Sequence, residues 1–235
     1  MTEEIRFLCV DSHAPPLFDK SEGGVRRTGY EPDAAQLVAD VLGRELRWVI
    51  TPWAEMIPRL RAGEADGIWC GQGVTKERSK LVDFTRPYAV FDESVLVRAG
   101  SGVRGPEGLG GYRVAAIAGS TNLALARTFP GVTTVPFDGA SVDVFGDMVA
   151  ALRAGEVDAV VDDDVVTVPL GDDPDLDLAF TVPTRNRWAI AVAKDRPAIR
   201  AELDAALGTI IADGRLAKVW RNWMPALDFP VESTR

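Results

Sequence analysis

The chain is poor in residues that cross-link or ligate. Its 235 residues include two cysteines, Cys9 and Cys70, and a single histidine, His13. Two thiols are too few for a disulfide scaffold and do not space as a metal site. Each sits in an apolar run, so both read as buried thiols, with one bond between them open if their strands are neighbours. A lone histidine leaves any His-based catalytic triad to one loop residue. Long apolar runs are missing: the stretch at 157–161 is far short of the roughly 20 residues that span a bilayer. So is a basic stripe. The 26 Lys and Arg are scattered among 35 acidic residues, for a net charge of −9, which argues against nucleic-acid binding. No metal-ligand spacing is visible, and the adjacent aspartates 162–164 do not alternate as a calcium loop does. No metal and no cofactor are therefore expected. The start, Met1-Thr2-Glu3-Glu4, has neither the charged nor the apolar segment of a leader. It suits a cytoplasmic chain or an exported one whose leader has been removed.

What is present is an alternation of short strands and helices. With 46% apolar residues, the length suffices for two small domains. Residues 5–10, 46–50, 66–70 and 95–98 read as strands, with helices over 32–42, 52–62 and 75–80 between them. The pattern then restarts, with strands at 113–117, 133–137, 157–161 and 188–193 and helices at 122–129, 141–154, 199–213 and 216–223. Such alternation predicts parallel α/β sheets. One unit also occurs twice: residues 56–66 (MIPRLRAGEAD) resemble 148–158 (MVAALRAGEVD), each a helix, a glycine break and a strand opening at Asp. A repeat 92 residues apart points to two similar lobes.

Ligands of open α/β sheets bind outside the carboxyl ends of the strands. Asp11, Gly71–Gly73, Gly119–Thr121 and Asp162–Asp164 all fall at such ends. Arg78, three residues after Thr75, suits a bidentate grip on a carboxylate, or else a solvated helix face. Ser120 and Thr121 open a helix and suit an anion or plain capping. Asp163 suits an ammonium, or belongs to a solvated acidic loop. Together the three describe a zwitterion, with Trp53 as an apolar or cation–π wall.

At these residues the chain resembles the family 3 solute-binding proteins that capture amino acids for ABC importers. The likeness runs through DSHAPPL at 11–17, GYEPDAAQLVADVLG at 29–43, WAEMIPRLRAGEADGIWC at 53–70, GQGVTKERSKLVDFTRPY at 71–88, VAAIAGSTN at 114–122, 148–163 and IADGRLAKVWRNW at 211–223. It implies a two-lobe type II periplasmic-binding-protein fold. Each lobe would be a mostly parallel sheet flanked by helices, lobe one from residues 1–94 and 191–235 and lobe two from 95–190, joined by a two-strand hinge that closes on the ligand. It implies an extracytoplasmic monomer that delivers its ligand to an ABC permease in the membrane, without catalysis. On matched positions Arg78, Ser120 and the Thr121 amide would hold the α-carboxylate, and Asp163 and the Gly71 carbonyl the α-amine. Asp11, Trp53 and Trp69 or Gln72 would meet the side chain, which the acidic candidates favour as polar or cationic. Ala14 stands where many relatives have a stacking aromatic, and Gly73 where many have Ser or Thr, so the pocket is expected to be roomier. Two alternatives share the fold: a ligand-sensing domain, and a cyclohexadienyl dehydratase. In the dehydratases a Glu falls three residues after the position of Asp163; here that residue is Val166.

Overall fold

The structure, a computed structural model, describes residues 3–21, 27–141, 143–225 and 227–231. Met1 and Thr2, from which the leader reading starts, residues 22–26 of the loop before the first helix, and residue 142 of the expected helix 141–154 lie outside the described residues. The chain divides into two compact units: Met1–Asp11, Pro16–Val90 and Asn186–Arg235 form unit 1; Ser12–Pro15 and Phe91–Arg185 form unit 2.

Unit 1 is built on β1 (Glu4–Cys9), which pairs in parallel with β2 (Glu45–Ile50) on one side and β3 (Gly67–Ile68) on the other. β3 runs antiparallel to the end of β8 (Leu176–Ala193). Helix α1 (Tyr30–Leu42) joins β1 to β2 and stops at Gly43, whose left-handed φ of 65° lets its N–H close on Ala39 and Asp40 carbonyls. Its buried stripe of Tyr30, Ala34, Ala35 and Val38 recurs at helical spacing. The C-terminal helices α7 (Pro197–Ala212) and α8 (Arg215–Trp223) pack on α1, and Trp220 meets Tyr30 edge-on at 5.2 Å. The single helix expected over 52–62 is instead a 3-10 turn, Trp53–Glu55, followed by α2 (Met56–Arg61). Pro58 explains the break: it has no N–H to return to residue 54, so it is tolerated only in the first turn of a new helix. Helix α3 (Lys76–Ser79) is capped by Thr75, whose hydroxyl accepts the Arg78 N–H.

Unit 2 repeats the order. β5 (Arg113–Ile117) pairs in parallel with β6 (Thr133–Phe137) and β7 (Ala159–Asp163). β7 runs antiparallel to the latter part of β4 (Val82–Arg98), with Glu93 opposite Asp163. Helices α4 (Thr121–Ala126), α5 (Val144–Ala154) and α6 (Asp164–Thr167) complete it. Its core gathers Val95, Val97, Val114, Ala116, Leu123, Phe129 and Val161. The neighbouring strands β4 and β8 each run from one unit into the other. They are 17 and 18 residues long, where only residues 95–98 and 188–193 were expected as strand.

The sequence repeat is a structural one. After α2 and after α5 the chain turns at Gly63 and Gly155, with φ of 78° and 76°. The aspartate that follows then anchors the first strand of its unit. Asp66 Oδ2 accepts Arg6 N (2.9 Å) and Nε (3.3 Å), and its Oδ1 accepts Arg196 Nη2 (3.2 Å). Asp158 Oδ2 accepts Arg113 N (3.0 Å) and Nε (2.9 Å), and its Oδ1 accepts Arg98 Nη2 (3.0 Å). The Arg113 and Arg98 guanidiniums hold the Asp158 carboxyl well below the usual carboxylate range.

Candidate functional site

Within each unit the first strand lies between the second and the third, so the chain reverses its direction of travel between β1 and β3 and again between β5 and β7. Side chains beyond the carboxyl ends of these strands stand at the switch points where open α/β sheets bind ligands.

In unit 1 the switch point carries Arg78. Its Nη1 donates to the Gly73 carbonyl at 2.8 Å. Turned to satisfy both its amide atoms, Gln72 accepts from Arg78 Nε at 2.9 Å and Nη1 at 3.1 Å. The guanidinium lies over the Trp53 ring, 5.4 Å from its centroid. Arg78, Trp53, Gln72 and Gly73 thus form one braced group, with the rotamer of a long cation fixed in advance. Gly71 takes a left-handed φ of 57°, and a Cβ there would touch the Trp188 indole at 3.5 Å. Its N–H donates to Glu31 Oε1 at 2.7 Å. Asp11 is tied down locally: its Oδ1 accepts Ser21 N and Oγ, both at 2.8 Å, and Arg27 Nη1 at 3.3 Å. Trp69, expected at a ligand side chain, is fully buried; it packs on Phe7 and on Tyr88, with ring centroids 5.3 and 4.9 Å away.

In unit 2, Ser120 caps α4: its hydroxyl accepts the Leu123 N–H at 3.0 Å and donates to the Ile117 carbonyl at 2.7 Å. The Thr121 hydroxyl lies 3.4 Å from Asn122 Oδ1. Asn122 in turn donates to Asp162 Oδ1 at 3.0 Å, tying the start of α4 to the end of β7 and bringing Ser120 and Thr121 to the aspartates. Asp162 Oδ1 also accepts the Asp163 N–H at 2.8 Å. Asp163 is half-buried as a residue, but its Oδ1 is out of contact with water and has no hydrogen-bond partner in this structure; the same holds for Asp164 Oδ1. Burial pushes the Asp163 carboxyl well up, and Asp162, Glu93 and Asp164 push it further. Asp162 is raised by burial to about 7 and Asp164 to about 6. Carboxyls gathered away from water give up charge unless a cation joins them. The geometry therefore favours an incoming cation.

Residues 7–226 match the profile of the bacterial extracellular solute-binding proteins, family 3. The chain belongs to that family. It is 30% identical over 221 residues to the ABC transporter glutamine-binding protein GlnH of Bacillus subtilis, covering 92% of this chain and 78% of that one. It is 27% identical to a putative ABC transporter arginine-binding protein 2 of Escherichia coli, over 94% of this chain and 90% of that one. Among solved structures it is similar to an ancestral arginine-binding protein bound to arginine: TM-score 0.84, 27% identity, 95% of this chain and 99% of that one covered. The two-lobe α/β architecture expected from the sequence is the architecture of these relatives. Among the described residues, no helix of this family member is long and apolar enough to cross a membrane.

Several residues of the site were not singled out from the sequence. Glu31 is fully buried, receives Gly71 N and Tyr88 OH (2.6 Å), and is raised by burial to about 7. In the sequence it reads as an ordinary first-turn acid of α1. Arg27 has a buried side chain between Phe18 and Trp48, and Glu93 lies opposite Asp163 across a strand pair that the sequence reading did not extend that far. Glu31 also comes close to both cysteines: donor atoms of Cys9, Glu31 and Cys70 lie within 4.8 Å of one another, a juxtaposition that spacing along the chain did not reveal.

Proposed function

We propose that the chain is the ligand-capturing component of an ABC importer and takes a small α-amino acid. Arg78 would receive its α-carboxylate and Asp163 its α-ammonium, with the hinge closure expected of the family part of the same reading. The observation that carries it is Asp163, a carboxylate with a partnerless buried oxygen set among other carboxyls, which calls for a cation. Arg78, held rigid by Gln72, Gly73 and Trp53, supplies the opposite charge. Relatives named for glutamine and arginine support a polar or cationic ligand side chain. The ligand would pass to a membrane permease, and the chain would bind without catalysis. Support for binding over dehydration comes from Val166, buried and apolar where the dehydratase resemblance requires an acid.

Calorimetric titration with L-arginine, L-glutamine, L-lysine and L-histidine tests the reading. At least one should bind, and its N-acetyl and carboxamide forms should not. Arg78→Ala and Asp163→Asn should each weaken binding about 30-fold or more, the loss from stripping one partner of a desolvated charge pair. Unchanged affinity in either folded variant would overturn the role given to that residue.

A further inference from the structure

Cys9 ends β1, and Cys70 stands two residues beyond β3. These strands pair in parallel, Phe7 opposite Gly67 and Leu8 opposite Ile68, and that register brings the two sulfurs to 3.3 Å. Closing to the roughly 2.05 Å of a disulfide asks for about 1 Å of approach, within the reach of small side-chain rotations. Both thiols are buried, at 1% and 4% exposure. Arg27 Nη2 donates to Cys9 Sγ at 3.1 Å, but burial and the neighbouring Cys70 outweigh that contact and push the Cys9 thiol up, so the folded core disfavours the thiolate that disulfide exchange needs. The Val10 N–H donates to Cys70 Sγ at 3.4 Å. The next residue after Cys70 is Gly71, whose N–H is held by Glu31.

We propose that Cys9 and Cys70 close as a disulfide that ties together the carboxyl ends of β1 and β3, next to Gly71. The oxidant is a small-molecule or protein disulfide. One thiolate attacks it to give a mixed disulfide and release a thiol. The second thiolate then displaces the remaining thiol, so that two cysteine S–H bonds are exchanged for one S–S bond and the donor disulfide is reduced to two thiols. The residues joined are 61 apart in sequence, a long loop whose closure restricts the unfolded chain strongly. A family of extracellular proteins works where such bonds persist. Because the folded protein buries both sulfurs, the bond forms during folding. The inference stands independently of the ligand assigned above.

The test is to refold the full chain from denaturant in a mixture of reduced and oxidised glutathione, and in parallel with excess reductant. The oxidatively refolded protein should be lighter by two hydrogens, yield a peptide linking Cys9 to Cys70, and melt at least about 5 °C higher than the reduced protein. Amide exchange at Val10 and Gly71 should slow about tenfold or more. Cys9→Ser and Cys70→Ser should show neither the mass change nor the higher Tm, while melting near the reduced wild type. Two alkylatable thiols after oxidative refolding, or a cross-linked protein that melts no higher, would overturn the proposal. A rise in Tm on adding zinc alone, reversed by chelator with both thiols intact, would overturn it in favour of a metal held by Cys9, Glu31 and Cys70. None of these readouts uses an amino acid, so failure here and failure of the amino-acid reading are separable.

Discussion

Glu31 shows how one side chain couples the core of unit 1 to its site. Its carboxyl is fully buried, yet it orients the Gly71 N–H and the Tyr88 hydroxyl. Burial raises it from 4.5 to about 7. Between those two values the folded chain holds a proton that the unfolded chain has released. The stability that Glu31 contributes is therefore complete below pH about 4.5 and is lost as pH rises through about 7, a change on the order of 3 kcal/mol. Asp162, raised from 3.8 to about 7, acts in the same direction. The ligand-free protein should unfold at a higher urea concentration at pH 5 than at pH 8, and Glu31→Gln should flatten the difference. With Asp163 in its proposed place at the ligand's ammonium, binding should show the opposite dependence. An ammonium favours the carboxyl's ionised form, so ligand uptake should release protons and affinity should fall as pH drops. Calorimetry in buffers of different ionisation enthalpy measures that release directly. Arg78 was legible in the sequence because Thr75 and the glycine break fix where α3 begins. Glu31 was not, because the groups its buried carboxyl meets, Gly71 and Tyr88, lie 40 and 57 residues further along the chain.

Among the elements, those whose reasons are local were read well. Glycines in the left-handed region end α1 and α5, and the alternation of strand and helix follows from apolar spacing. The long strands were read only in part. β4 opens with Asp83, Arg86 and Pro87, and β8 passes through Pro183, Arg185 and Arg187, residues that read as loop until a neighbouring strand supplies their hydrogen bonds. The duplicated Leu-Arg-Ala-Gly-Glu segment was legible as a repeat, but not the task of the aspartate that closes it. Asp66 and Asp158 each accept a backbone N–H of their unit's first strand together with two arginines. Asp66→Ala and Asp158→Ala should each destabilise by about 1–2 kcal/mol in urea unfolding, chiefly through the orphaned strand N–H. Hydrogen exchange should report the loss at β1 in the first variant and at β5 in the second.

At the scale of the whole molecule, binding should appear as stability. A ligand at about a hundred times its Kd adds roughly 2.7 kcal/mol, which for a chain of this size raises Tm by about 5–10 °C. A melting series with amino acids, polyamines, small organic acids and prephenate should give one clear shift among the amino acids, with prephenate neither stabilising nor consumed. The architecture itself was visible in the sequence because two αβ series with the same repeat leave few ways to arrange the sheets. The path of the chain has a further consequence. Unit 2 is nearly contiguous, whereas unit 1 is interrupted by it and finished only by Asn186–Arg235. On a ribosome, β5, β6 and β7 emerge together and can condense at once. β1, β2 and β3 must wait for β8 to cover the edge of β3 and for α7 and α8 to cover α1. Strands made before unit 2 are thus among the last to be sheltered, and through that interval unit 1 is the part of the nascent chain that a chaperone would hold.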